Sequence, residues 1–120
     1  MPETRDVPVA AAEDCLGGVS GLLPMAQARE MAAAFKALAD PTRVRLLTYI
    51  ASSSDGKVCA CHLPEALGIS QSTLSFHMKK LHLAGLVSRE QVGRWVHYAV
   101  VPEAVGALNR HLEPLSRSIS

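Results

Sequence analysis

The sequence predicts a small, mainly α-helical domain with one β-hairpin, organised around a helix-turn-helix between Val58 and Leu86. Three observations carry that prediction. Leu63 and Leu67 lie four apart and are followed by Gly68, a helix-ending residue. Ser70 is placed to cap a second helix in which Leu74, Met78 and Leu81 fall on one face. After Gly85 the runs LVSREQ and RWVHYAVV flank Val92-Gly93, and the β-branched and aromatic residues of the second run mark a hairpin.

The remaining elements follow in chain order. Residues 1–22 hold two prolines, three glycines and several acids with no apolar period, so they read as a flexible arm, whose one chemically active residue is Cys15. The rest, 23–120, forms the folded domain. From Pro24 to Leu38 the residues Ala28, Met31, Phe35 and Leu38 recur at helical steps, and Pro24 suits a first turn. Asp40-Pro41 starts a second helix with the stripe Val44, Leu47 and Ile50/Ala51. Residues 52–56 are a loop, and Val58 to Cys61 is compatible with an extended entry into the next helix. In the hairpin, Val96, Tyr98 and Val100 face one way and Trp95, His97 and Ala99 the other. Pro102 opens a last helix whose stripe, Val105, Leu108, Leu112 and Leu115, is broken late by Pro114. Amphipathic helices at both ends of so short a domain point to a homodimer interface.

Composition narrows the class. At 120 residues and 48% hydrophobic content there is room for one domain with a core. No run of about 18 apolar residues and no basic-then-apolar leader is present, so neither a membrane span nor a secretory signal is expected and the chain should stay in the cytoplasm. Three cysteines, two of them one residue apart, suit reduced, metal-binding thiols better than a disulfide framework. Net charge is only +1, but it is unevenly spread. Between Ser70 and His97, Lys79, Lys80, Arg89 and Arg94 stand against Glu90, a net +3. Residues 1–30 carry Arg5 and Arg29 against Glu3, Asp6, Glu13, Asp14 and Glu30, a net −3. The positive charge lies where a DNA-reading surface would be.

With Leu74, Met78 and Leu81 inward, Ser72, Thr73, Phe76, Lys79 and Lys80 turn outward, and Ser70 and Gln71 lie at the end that enters a major groove first. Gln71 suits an adenine edge and Lys80 a phosphate or guanine. Phe76 is either a contact to thymine methyls or a stray surface apolar group. Arg94, beside the hairpin turn, is placed for the backbone of the neighbouring minor groove. A catalytic reading has no support, because Cys61 and His62 are merely sequence neighbours and no glycine-rich turn supplies an oxyanion site.

Taken together, FKALADPTRVRLLTYIA, VCACHL, SQSTLSFHMKKLHLAGLV and RWVHYAV occur in an order that resembles the ArsR/SmtB family of metal-sensing winged-helix repressors, over about 80 of the 120 residues. The resemblance implies a winged helix-turn-helix homodimer that binds operator DNA when ligand-free and releases it on binding a metal or metalloid. The cysteine pair before the helix-turn-helix resembles that of arsenite-responsive members, and of cadmium- and lead-responsive ones. Family members often carry a polar residue where Phe76 stands. The family's other common site uses acids and histidines on the last helix; only Glu103, His111 and Glu113 are available there, so no zinc site is expected in it.

The spacing of the pair sets a constraint. Residues i and i+2 point apart on a helix and together on an extended segment, so Cys59 and Cys61 grip one ion only if the backbone at Ala60 is extended or sharply turned. Zinc-thiolate bonds of about 2.3 Å imply sulfurs roughly 4 Å apart. Two small cysteines filling a core are the plainer alternative. Trivalent arsenic takes three sulfurs in a pyramid, whereas zinc and cadmium take a fourth ligand. Cys15 is the one remaining cysteine, and some 20 flexible residues span roughly 25 Å, enough to reach. Resemblance to members whose arms complete such sites suggests donation from the opposite subunit. His62 is either a fourth ligand or a solvated or capping side chain. The expected inducer is arsenite, with antimonite, cadmium and lead as alternatives and no organic cofactor. A thiol redox sensor, in which Cys59 and Cys61 form a reversible disulfide, is the rival reading.

Overall fold

The computed structural model describes residues 21–119, so nearly all of the arm predicted over 1–22, Cys15 included, lies outside the described residues. Helices α1 (Met25–Ala37) and α2 (Pro41–Ser52) are followed by strand β1 (Lys57–Cys59) and a tight 3-10 turn (Ala60–His62). The short α3 (Leu63–Leu67) and α4 (Gln71–Leu83) come next, then β2 (Val87–Val92), β3 (Trp95–Val100) and α5 (Pro102–Ile119). The three strands form one antiparallel sheet in the order β1-β3-β2. The architecture is the predicted one, a winged helix-turn-helix, with a third strand added to the hairpin.

Local chemistry accounts for the boundaries. The Asp40 carboxylate accepts hydrogen bonds from the N–H groups of Thr42 (2.8 Å) and Arg43 (3.2 Å), and Pro41 supplies the preset φ of a first turn. Those backbone bonds, that from Arg43 foremost, hold the Asp40 carboxyl below its usual pKa. Ser70 caps α4 by accepting from the Thr73 N–H at 3.1 Å. Between the two helices of the motif, Gly68 takes φ +69°, and the Ile69 N–H folds back onto the Pro64 carbonyl.

One core unites these pieces. Leu46 and Ile50 of α2, Leu74, Met78 and Leu81 of α4, and Leu86 and Val87 at the head of β2 are almost completely buried. At roughly 1.5–3 kcal/mol for each such side chain, this group supplies most of the apolar drive that holds α4 in place. The inner face of β3 completes it through Tyr98, flanked by Val96 and Val100, as the alternation predicts.

Several expectations need correction. In α2 the buried stripe is Leu46 and Ile50 with Leu47 beside it, and Val44 is exposed. In α1 the buried positions are Ala34 and Ala37, and Phe35 is exposed. Both helices are apolar over more than one face, and the side that packs is set by where neighbours approach; small alanines allow the closest approach. The hairpin turn is Gly93-Arg94 rather than Val92-Gly93, because Val92 still pairs with Trp95 and the positive φ of +62° falls on Gly93. Helix α5 does not end at Pro114 but runs through it. The proline deletes one hydrogen bond, to the carbonyl four residues back, at a water-exposed position where solvent replaces it, and Arg117 donates to Glu113 across the same turn.

Candidate thiol site and nucleic-acid interface

Cys59 is the last residue of β1, in extended conformation (φ −81°, ψ 138°), and Cys61 sits in the 3-10 turn that follows. The turn is held by the buried methyl of Ala60 and by the Cys61 N–H, which donates to Cys59 Sγ at 3.3 Å. Both thiols are half-buried. The backbone is thus sharply turned at Ala60, the geometry an i, i+2 thiol pair requires. Cys59 pushes the Cys61 thiol pKa up, through its hydrogen bond first, then the desolvation of the turn and its charge. A second thiolate beside a first is therefore costly at this turn.

Two further placements bear on ligand number. His62 is exposed and makes no side-chain capping bond to α3, so the capping alternative does not hold. Among the described residues no group of three or more His, Cys, Asp and Glu side chains is arranged to hold a metal ion. Cys59 and Cys61 therefore offer two sulfurs, and the predicted third, Cys15, lies outside the described residues.

What sequence reasoning missed is the connection of this turn to the hairpin. Cys59 stands opposite His97, which in turn stands opposite Glu90, so the thiol strand is laddered directly to β3. Val58 faces Tyr98 on the core side, which places Cys59 and His97 on the other face. The alternation Val58, Cys59, Ala60 is the signal that could have revealed it, but three residues are too few to distinguish a strand from a loop.

The second surface is α4. Ser70, Gln71, Ser72, Thr73, Phe76, Lys79 and Lys80 are all exposed, on the side away from Leu74, Met78 and Leu81. The first-turn hydroxyls are mutually engaged: Ser70 Oγ lies 2.9 Å from Thr73 Oγ1 and 3.1 Å from Ser72 Oγ. Phe76 is 54% exposed yet positioned. Its ring meets that of His77 edge-on (centroids 5.5 Å, planes at 68°), and Lys80 Nζ lies 5.3 Å from its centroid.

His77 is itself held from α2. The Arg43 guanidinium approaches His77 Nδ1 at 3.1 Å and donates through Nε to the Ala37 carbonyl at the end of α1. Because arginine only donates, His77 Nδ1 is the acceptor of this contact. This Arg43–His77 strut joins α1, α2 and the outward face of α4. A contact between residues 34 positions apart leaves no local sequence signal.

The hairpin is braced in the same way. His82 Nδ1, near the end of α4, donates to the Val87 carbonyl at 3.1 Å, and Gln91 Nε2 donates to the Gly93 carbonyl at 3.0 Å, which leaves Arg94 exposed at the tip. Among the described residues no helix is long and apolar enough to cross a membrane.

With this geometry in hand, the chain can be set beside known proteins. The profile described as "Bacterial regulatory protein, arsR family" matches residues 40–89, the stretch from the Asp40 cap into β2. The chain is 42% identical over 69 residues to the arsenic resistance transcriptional regulator ArsR1 of Pseudomonas putida, a match covering 58% of this chain and 52% of that protein. It is 39% identical over 74 residues to the arsenical resistance operon repressor of Bacillus subtilis, covering 62% of this chain and 69% of that one. The chain thus spans about half the length of the first of these relatives and somewhat more than two thirds of the second. Among solved structures, the homodimeric winged helix-turn-helix DNA-binding domain Mb0332 of Mycobacterium bovis superposes with a TM-score of 0.61 at 25% identity, over 78% of this chain and 83% of that one. These relatives are transcriptional regulators, not enzymes. Sequence similarity and fold show that the chain belongs to the ArsR family of bacterial regulatory proteins.

Proposed function

We propose that this protein is a homodimeric repressor that binds operator DNA when ligand-free and lets go when arsenite is captured by Cys15, Cys59 and Cys61. The observation that carries this reading is the position of the thiol turn: it is continuous with α3, which braces the reading helix, and laddered through β1 to the hairpin strand β3. Capture of a soft centre reshapes a three-residue turn, and both DNA-facing elements are attached to it.

On the DNA side, Gln71, Ser72 and Thr73 at the start of α4 enter a major groove, with Ser70 fixing the helix start and adding its hydroxyl to the contact surface. Lys79 and Lys80 meet phosphate or guanine, Phe76 packs on thymine methyls, and Arg94 reaches the minor-groove backbone. A two-fold dimer presents two such helices to related half-sites. Exposed apolar side chains near the two ends of the described chain, Leu22 and Met25 before and within α1 and Leu112 in α5, support an interface built from those helices. The arm over 1–22 brings Cys15 to the pair, with the partner subunit as the proposed donor, and the protein acts in the cytoplasm. The names of the arsenical resistance relatives favour arsenite over antimonite, cadmium or lead.

The test is operator binding by the parent and by Cys15→Ser, Cys59→Ser and Cys61→Ser, each with and without arsenite. All four should bind DNA alike without ligand, and only the parent should lose tenfold or more of its affinity on arsenite addition. If Cys15→Ser releases DNA at the parent's arsenite concentration, the three-sulfur site is wrong. Release triggered by peroxide and not by arsenite would instead establish the redox reading.

A further inference from the structure

The two histidines of α4 are held by hydrogen bonds of opposite sense. His82 Nδ1 donates to the Val87 carbonyl, a bond that an imidazole and an imidazolium can both make. His77 Nδ1 instead accepts from the Arg43 guanidinium at 3.1 Å, and an imidazolium has no lone pair with which to do so. Of the two, only His77 has a partner that protonation takes away. That partner also donates to the Ala37 carbonyl, so a single arginine ties the end of α1 and the first turn of α2 to the half-buried imidazole on α4. The groups around the ring set the sign of the effect. From α2 it faces Arg43 and the Asp40 carboxylate, which lies within electrostatic reach of both and is already engaged as the cap of its helix. From α4 itself Lys80 stands over the Phe76 ring that meets His77 edge-on. With two cations against one committed anion, a third positive charge on the ring drives it and Arg43 apart.

We propose that His77 is the positioning residue of the reading helix: its neutral ring, latched to Arg43, holds the outward face of Phe76 and Lys80 in register with the major groove, and protonation of the ring releases that face. This rests on the operator-binding reading above. Phe76 and Lys80 touch the ring or each other, so the face that meets DNA is built outward from His77 rather than from the core. The latch also starts on α1, one of the two helices of the proposed dimer interface, and so fixes α4 relative to the two-fold axis and with it the spacing of the two reading helices. Histidine changes charge between about pH 5 and 8, so release falls in mildly acid solution. Operator binding then weakens there with no event at the thiols.

The probe is a DNA duplex selected by the parent protein from a randomised pool, titrated into the full-length chain without metal or metalloid at about pH 7.5 and about pH 5.5. The parent should bind about tenfold more weakly at the lower pH, because one hydrogen bond is lost on each of the two reading helices. His77→Asn, whose amide oxygen accepts from Arg43 and does not titrate, should bind at both pH values as the parent does at the higher one. Arg43→Met, which removes the donor, should bind weakly at both and show no pH step, with urea unfolding to show that it is folded. A parent with equal affinity at the two pH values, or a His77→Asn variant that keeps the full pH step, would overturn the latch and leave the repressor reading standing. Affinity that rises at the lower pH with a steeper salt dependence, both lost in His77→Asn, would make the ring a phosphate contact and overturn the proposal as well. A parent that selects no duplex would defeat the repressor reading and this inference together.

Discussion

The reading helix and the thiol turn are held by opposite means, although Ser70 stands only nine positions after Cys61. Helix α4 rests on Leu74, Met78 and Leu81, all buried, and is capped at Ser70 and strutted by Arg43 through His77. The thiol turn has three residues, one buried methyl, the Cys61 N–H to Cys59 sulfur bond at 3.3 Å and the Leu63 N–H bonded to the Ala60 carbonyl. The difference teaches where each property resides. On the proposed function, a reader must keep one shape to match a groove, which the core burial of α4 provides, and a sensor must change shape for little energy, which suits a half-exposed three-residue turn. Strand β1 and helix α3 join the two, so a small local rearrangement at sulfur has a path to both DNA-facing elements.

The comparison breaks most readily on stability. Leu74→Ala should cost about 2–5 kcal/mol in urea unfolding, because it empties a packed site, and operator binding should fall with it. Cys61→Ser should leave the unfolding midpoint near that of the parent. Equal losses in the two variants would mean that the turn is as deeply built into the core as the helix.

The pH dependence of ligand capture separates arsenite from a divalent rival by nearly as large a margin. The Cys61 thiol is held above its ordinary pKa, by its hydrogen bond with Cys59 first, so it stays protonated at neutral pH. Cadmium must then expel the Cys61 proton, and its affinity should rise by up to about 10-fold per pH unit between pH 6 and 8. Arsenous acid condenses with thiols: each As–O bond is replaced by As–S, and each displaced hydroxyl takes the thiol proton and leaves as water, so no net proton is released and its affinity should stay nearly flat there. Competitive titration at three pH values reads the difference. A steep arsenite slope would mean that the thiols are already ionised, contrary to the geometry of the turn.

Smaller effects sharpen the account of the reader. Ser70→Ala should cost about 1 kcal/mol of stability through loss of the cap. Asp40, with its pKa lowered in the fold, contributes stability that is present above the unfolded carboxyl pKa and lost as pH falls through the folded one. In Asp40→Asn, whose amide cannot respond to acid, this pH-dependent contribution is absent, so the low-pH limb of the stability curve should flatten. His77→Phe removes the acceptor of Arg43 while keeping a ring beside Phe76, and should lower operator affinity by a few fold with no change in arsenite binding.

Much of the reader was legible in the sequence, and less of the sensor. Leu74, Met78 and Leu81 share a helical face whatever the tertiary structure, and Asp40 and Ser70 act within three residues of themselves, so local rules reach them. The stripes of α1 and α2 were misplaced because Phe35 and Val44 are as apolar as the residues that pack, and only the neighbours decide between faces. The pairing of Cys59 with His97 and the Arg43–His77 strut are contacts across the chain, without a periodic signature. Pro114 misled because the penalty for an internal proline is largest where water cannot repair the broken bond, and here it is exposed.

The central claim is that capture at the thiol turn and operator binding are two ends of one equilibrium. It is tested most directly by measuring arsenite affinity for the free dimer and for the dimer saturated with operator DNA. Linkage requires that DNA weaken arsenite binding by the same factor by which arsenite weakens DNA binding, tenfold or more in each direction. Equal arsenite affinity in the two states would contradict the account, whatever the thiols bind.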